Sequence, residues 1–162
     1  MRRELPGGFE LDDDRSRIDV DAVHAFISEQ SYWGRGRSRE RVQRTVDGSA
    51  RVLGLYLGAA SSPPSSPEGD GDGEGEQVGF ARAVTDGVTV GYIADVYVLP
   101  AFRGRGLGLE LVREIVSSPD GHASEVRWML HTADAQGLYA KVGFVAAPTD
   151  PPTYPLMERA RG

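Results

Sequence analysis

Arg103-Gly-Arg-Gly-Leu-Gly108 is the segment whose residue types and spacing could do chemistry. It follows a β-rich run ending in Val96-Tyr-Val-Leu-Pro100 and opens an apolar-periodic helix from Leu109 to Val116. A strand that feeds a glycine-rich turn into a helix N-terminus exposes backbone N–H groups with no acceptor inside the helix. Those donors, with the positive end of the helix dipole, make a site for phosphate. Gly104, Gly106 and Gly108 let the backbone take unusual dihedrals and approach an anion closely. Arg103 and Arg105 add charge that suits a pyrophosphate. A phosphorylated cofactor is therefore expected here.

Spacing narrows the choice. A dinucleotide-binding fingerprint needs G-x-G-x-x-G, whereas Gly108 comes only two residues after Gly106. A Walker loop needs a lysine after its last glycine, and the only lysine in the chain is Lys141. Arg103-x-x-Gly106-x-Gly108, with Val98-x-Pro100 before it, resembles the [Q/R]-x-x-G-x-[G/A] signature of the GNAT superfamily of acyl-CoA-dependent N-acyltransferases. A second segment, Ala135-Gln-Gly-Leu-Tyr-Ala-Lys-Val-Gly-Phe144, is similar to the A-x-x-L-Y-x-K-x-G-F stretch which that superfamily carries about 30 residues further on. The resemblance is close from Gln77 to Phe144 and loose in the N-terminal third. It implies acetyl-CoA as co-substrate and no metal. Val98, Arg103, Gly104, Arg105, Gly106, Leu107 and Gly108 would then hold the cofactor, and a small-molecule or peptide amine would be the acceptor.

The resemblance also places Tyr139 beside the cofactor sulfur. A departing thiolate gains from a proton donor, and a phenol with an ordinary pKa near 10 is protonated at neutral pH. Tyr139 is thus the expected acid, against a plain reading as a helix aromatic packed on the sheet. The attacking amine must lose a proton. Asp95, a carboxylate within the apolar run Tyr92-Ile-Ala-Asp-Val-Tyr-Val98, is the candidate to take it directly or through water. Its alternative is a structural hydrogen bond. Tyr32 and Trp33 sit in a glycine- and arginine-rich connection that the resemblance places over the acceptor site, though packing of Trp33 on the core is the competing reading. Arg35, Arg37, Arg39 and Arg41 read as a solvated face. His24 and His122 read as surface residues, and His131 ends a strand near the acceptor side.

The elements that must position these residues follow from periodicity. Phe9 to Leu11 predicts a first strand, Asp19 and Ser38 can cap two helices, and Val52 to Leu57 predicts a strand. Residues 59–77 are rich in Ser, Pro, Gly, Asp and Glu and predict a disordered surface insertion without catalytic residues. Val78 to Val84 and Val88 to Val98 predict a hairpin turning at Asp86-Gly87. Val126 to Leu130 predicts a further strand, and Asp134 or Thr132 can cap a short helix that Gly143 stops. The order argues for an α/β fold, a mixed sheet with helices on its faces. The resemblance adds that the sheet splays beside the strand preceding the phosphate loop, where acyl-CoA inserts.

Composition is compatible with this. A chain of 162 residues suits one domain with a real core. It has no cysteine, which removes disulfides and thiolate chemistry together. A net charge of −6 disfavours nucleic acid as a partner. No apolar run spans a bilayer and the first residues lack a signal-peptide core, so a cytoplasmic protein is expected. Dimers are common in the family resembled, which makes a homodimer a further expectation. The functional expectation is an N-acetyltransferase. Its alternatives are a CoA-binding GNAT-like module without turnover and a nucleotide-binding enzyme unrelated to CoA.

Overall fold

The computed structural model describes residues 1–58, 75–117 and 125–146. A polar turn at Gly7-Gly8, both at positive φ, folds β1 (Arg2–Leu5) back on β2 (Phe9–Asp12). Asp19 caps α1 (Val20–Ala25) by accepting from the Ala22 N–H, and a π-helical turn at Phe26–Gln30 continues it. Ser38 caps α2 (Arg39–Asp47) by accepting from Arg41. Three strands follow: β3 (Arg51–Leu57), β4 (Glu76–Thr85) and β5 (Val90–Val98). The hairpin between the last two is fixed by Asp86, whose carboxylate accepts from the N–H groups of Val88, Thr89 and Val90. Then come α3 (Leu107–Val116), β6 (Arg127–Met129) and α4 (Gln136–Ala140).

The six strands lie in chain order, all antiparallel except the parallel pair β5–β6. Each face of the sheet carries its own core. On one, Val23, Phe26 and Ile27 together with Val42 and Val46 of α2 pack on Val52, Phe80 and Tyr97. On the other, Leu107, Leu111, Val112 and Ile115 of α3 and Tyr139 of α4 pack on Leu53, Leu55, Ala81, Ala83 and Ile93. This is the expected mixed sheet with helices on both faces.

Two departures from expectation have plain causes. β1 is a short edge strand of mostly charged residues, so no apolar alternation announces it. The polar stretch predicted as a loop through Gln77 ends earlier, because Glu76 and Gln77 pair with Leu57 and Tyr56. Gln77 is buried, and its side-chain oxygen accepts the Asp19 N–H at 2.9 Å. The remainder of that predicted loop, residues 59–74, lies outside the described residues.

The feature that positions the site is a partial seam. β6 pairs with β5 only through Val90–Arg127, Gly91–Trp128 and Tyr92–Met129. From Ile93 to Val98, β5 has no described strand on that side. Within the same stretch Phe80 faces Tyr97 and Arg82 faces Ala94, so Asp95 and Val96 together oppose the single residue Ala81. That bulge puts Asp95 at φ 52, the only non-glycine residue at positive φ among those described. It also resets the alternation. Ile93 faces the α3 core and Tyr97 the α1–α2 core, and Asp95 is turned to the latter side.

Candidate active site

The glycine-rich loop hangs from the end of β5. Leu99 donates its N–H to Val78, so the polar backbone of Val98 points away from β4, into the opening. The Val98 carbonyl there accepts from Arg103 Nε at 2.9 Å. Gly104 and Gly106 take φ of 77 and 80, and a Cβ on either would meet nothing within 4 Å. Gly106 starts α3 with no side-chain cap, and its carbonyl accepts from Leu109 and Glu110. The N–H groups of Leu107 and Gly108 find no acceptor among the described residues. Arg105 stands 5.8 Å over the Phe9 ring and 5.9 Å over that of Phe102. Space, unpaired donors, a helix N-terminus and two guanidinium groups thus converge as a phosphate would require. Gly108 differs from the expectation for it. Its φ is not positive, and its missing side chain instead admits Leu138 of α4, 3.1 Å from where a Cβ would sit.

α4 forms the opposite wall. Neither Thr132 nor Asp134 caps it as expected: its N-cap is Ala135, which makes no side-chain cap, and Thr132 Oγ1 accepts the Ala135 N–H at 3.0 Å in the turn before the helix. Gly143 at φ 90 ends the turn that follows, and Phe144 returns its N–H to Tyr139. Tyr139 is 9 % exposed and meets Phe144 edge to face at 5.8 Å. Burial first, then the neighbouring Tyr32, Asp134 and Tyr92, push its phenol up to about 12. The group therefore holds its proton throughout the neutral range. Its distance from the acidity of a thiol, about 8.5, is wider than an ordinary phenol would have.

Asp95 is 6 % exposed and fully engaged. Trp33 Nε1 donates to Oδ1 at 3.0 Å, while Arg37 Nη1 at 2.8 Å and Arg82 Nε at 2.6 Å donate to Oδ2. Burial works to raise its pKa, but Arg82 and then Arg37 outweigh it and hold the carboxyl below the usual range. A carboxylate so stabilised is a weak proton acceptor, which argues against the base role expected from the sequence and for the structural alternative. Arg37 is correspondingly not on a solvated face. Arg39 is, pairing with Asp21 at the surface.

A pH dependence follows. The folded Asp95 titrates below its unfolded value, so its stabilising contribution is present above about pH 4 and is lost as pH falls through the lowered pKa. Asp95→Asn should start with a lower Tm at neutral pH, and its Tm should converge with the wild-type value on acidification. Parallel Tm curves would contradict the ion-pair assignment.

Tyr32 and Trp33 lie at the mouth, 56 % and 40 % exposed, in edge-to-face contact at 4.9 Å. The Tyr32 hydroxyl accepts the Ala133 N–H at 2.9 Å, so the segment reaches the lead into α4. Tyr92 and His131 share a hydrogen bond of 2.9 Å on the same side. Neither Arg82 nor the pairing of Arg37 is marked by any motif in the sequence. A two-residue turn at Asp86-Gly87 would set Arg82 opposite Gly91, whereas the wider observed turn sets it opposite Ala94, next to the bulged Asp95.

Among the described residues no helix is long and apolar enough to cross a membrane. Residues 70–146 match the family described as "Acetyltransferase (GNAT) domain". A protein of Gibberella zeae named as an acetyltransferase is 32 % identical over 137 residues, covering 83 % of this chain and 77 % of its own. A solved GNAT-family structure from Xanthomonas campestris pv. campestris superposes with a TM-score of 0.75 at 33 % identity, over 98 % of this chain and 96 % of that one. N-acetylglutamate synthase from Neisseria gonorrhoeae, solved with coenzyme A and N-acetyl-glutamate, shares the fold. Its TM-score is 0.61 at 21 % identity, over 92 % of this chain and 30 % of that one. Sequence likeness along most of the chain and a common architecture agree with the geometry of loop, seam and tyrosine: this chain belongs to the GNAT acetyltransferase superfamily.

Proposed function

We propose that the chain transfers an acetyl group from acetyl-CoA to a primary amine by direct attack. The observation that carries this reading is the meeting of three features at one seam: the uncapped start of α3, the stretch of β5 that no described strand pairs on that side, and the protonated Tyr139. The amides of Leu107 and Gly108, with Arg103 and Arg105, suit the pyrophosphate. The inward-facing backbone of Val98 suits an amide-bearing arm extended along β5. Acetyl-CoA supplies an acyl carbon activated as a thioester. In the overall reaction a C–N bond forms, the C–S bond breaks, and the proton lost by the amine balances the one gained by the thiol.

Tyr139 acts as a hydrogen-bond donor toward the leaving sulfur. With its phenol near 12, complete proton transfer to an alkyl thiolate runs uphill, so the benefit lies in stabilising charge as it develops. The amine loses its proton to water or bulk base, since Asp95 is committed elsewhere. Tyr32 and Trp33 line the side from which the amine approaches.

The test is thiol release from acetyl-CoA with a panel of amines, from amino acids and amino sugars to peptide N-termini. At least one should give turnover well above the rate of hydrolysis without acceptor. A protein stabilised by acetyl-CoA that turns over no amine would be a binding module. One stabilised by neither acetyl-CoA nor CoA would contradict the cofactor reading itself.

A further inference from the structure

We propose that Asp95 is a positioning residue that latches the segment from Ser31 to Arg37 across the opening between β5 and β6, fixing the acceptor wall. The link to acceptor binding rests on the acyltransferase reading above, whereas the latch itself does not.

The segment is internally stiff. Ser31 Oγ donates to the Ile27 carbonyl at 2.6 Å and accepts the Gly34 N–H at 3.0 Å. Gly36 returns its N–H to Ser28 and Arg37 to Gly34, both at 3.0 Å. A Cβ on Gly34 would fall 2.4 Å from Ile27, so this turn seats directly on the core. A stiff turn needs only a firm anchor at each end to have its orientation set. One anchor is Asp95, which holds both Trp33 and Arg37 from 62 and 58 residues away. The other is the single neutral bond from Ala133 to the Tyr32 hydroxyl. The two anchors stand on opposite sides of the seam: the bulge of β5 and the connection that leads to Tyr139.

Asp95 is suited to this task and to little else. Its left-handed backbone is a conformation that aspartate tolerates better than most residues, and the surrounding bonds hold it there. Arg82, on the neighbouring strand, braces the carboxylate from behind, with Nη1 3.4 Å from Ser49 Oγ. All three donors are nitrogen groups, so the acceptor capacity of the carboxylate goes into geometry. Trp33 is thereby presented with its indole N–H pinned and its ring partly exposed, an apolar platform at the mouth.

Two measurements on the full-length protein test this. In a Trp128→Phe background Trp33 is the only indole, since the chain has two tryptophans. There Asp95→Asn should raise acrylamide quenching of Trp33 and lower its anisotropy. This arm needs no turnover, so it judges the latch even if the acyltransferase reading fails. The kinetic arm compares Asp95→Asn with the milder Trp33→Phe, which keeps an aromatic ring and removes only the pinned donor. Both should raise the acceptor KM roughly tenfold, since small misplacements near a reacting centre have effects of that order. The KM for acetyl-CoA and the pH–rate profile should stay as in wild type. Trp33→Phe should add little in the Asp95→Asn background, because Asp95→Asn frees Arg37 and so loosens the same latch that Trp33→Phe weakens at Trp33. Unchanged Trp33 quenching in Asp95→Asn would overturn the latch. Loss of a limb of the pH profile with an unchanged acceptor KM would overturn the positioning role and restore Asp95 as a base.

Discussion

Tyr139→Phe is expected to lower turnover by at least about tenfold, toward the roughly 10²–10³ cost of losing one donor to a developing charge, while the protein stays folded and keeps its affinity for acetyl-CoA. The substitution retains the ring that packs edge to face on Phe144 and deletes only the hydroxyl. That hydroxyl makes no hydrogen bond to any described residue, so no internal partner is left unsatisfied when it goes. Phosphate binding rests on the start of α3, which Tyr139 does not form. Turnover at saturating acceptor and the acetyl-CoA melting shift, read on one preparation, separate the possibilities. An unchanged turnover number would remove Tyr139 from the chemistry. A lost melting shift would instead make it a wall of the cofactor site.

The second large effect is expected at Gly106. Gly106→Asp should abolish the stabilisation by acetyl-CoA, which at about 100 times Kd amounts to about 2.7 kcal/mol and, for a protein of this size, to roughly 5–10 °C in Tm. A Cβ at this position meets no protein atom within 4 Å, so the new carboxylate projects into the space where the pyrophosphate should lie. The backbone cost of a side chain at φ 80 is real, and Gly87→Asp supplies the control. Gly87 has φ 75 and equally open surroundings, in the turn between β4 and β5. It should lose comparable intrinsic stability and keep the full acetyl-CoA shift. A Gly106→Asp protein that still shows the full shift would mean the loop does not hold the phosphates.

The parts of this fold that sequence reveals are those decided locally. Asp19 and Ser38 cap the helices expected of them, Asp86-Gly87 turns the hairpin, and Gly143 ends the turn after α4. Each outcome depends on a few neighbouring residues. The glycine loop was legible for the same reason, since a strand, two residues at positive φ and a helix start lie within a short stretch. What escaped depends on contacts between distant segments. Arg37 looks like one of a row of surface arginines until a bulge brings Asp95 to it. The bulge itself leaves no mark on composition, because an aspartate in an apolar strand fits a catalytic residue, an edge residue and a left-handed kink equally well. β1 escaped because its charged side chains suit an edge and hide the alternation. For Tyr139, the sequence offers the residue as a candidate but not how far burial moves its acidity.

The three-residue pairing between β5 and β6 bears on how this molecule breathes. The first five strands form an antiparallel meander in chain order, each zipped to its neighbour over at least four residue pairs. Beyond β5, the described part of the wall made of β6 and α4 shares only the short parallel ladder as backbone pairing with the sheet. Its other ties are made by side chains, with Trp128 over Gly91, Leu138 against Gly108, Tyr139 in the α3 core, and the bonds of His131 with Tyr92 and of Ala133 with Tyr32. Units joined by few backbone pairs open at a lower free energy than the whole protein. Parallel pairing across a helical crossover also forms late, after the local hairpins. The wall that carries Tyr139 is therefore expected to dock late during folding and to detach early under stress. Inactivation by heat or denaturant will then precede loss of the meander.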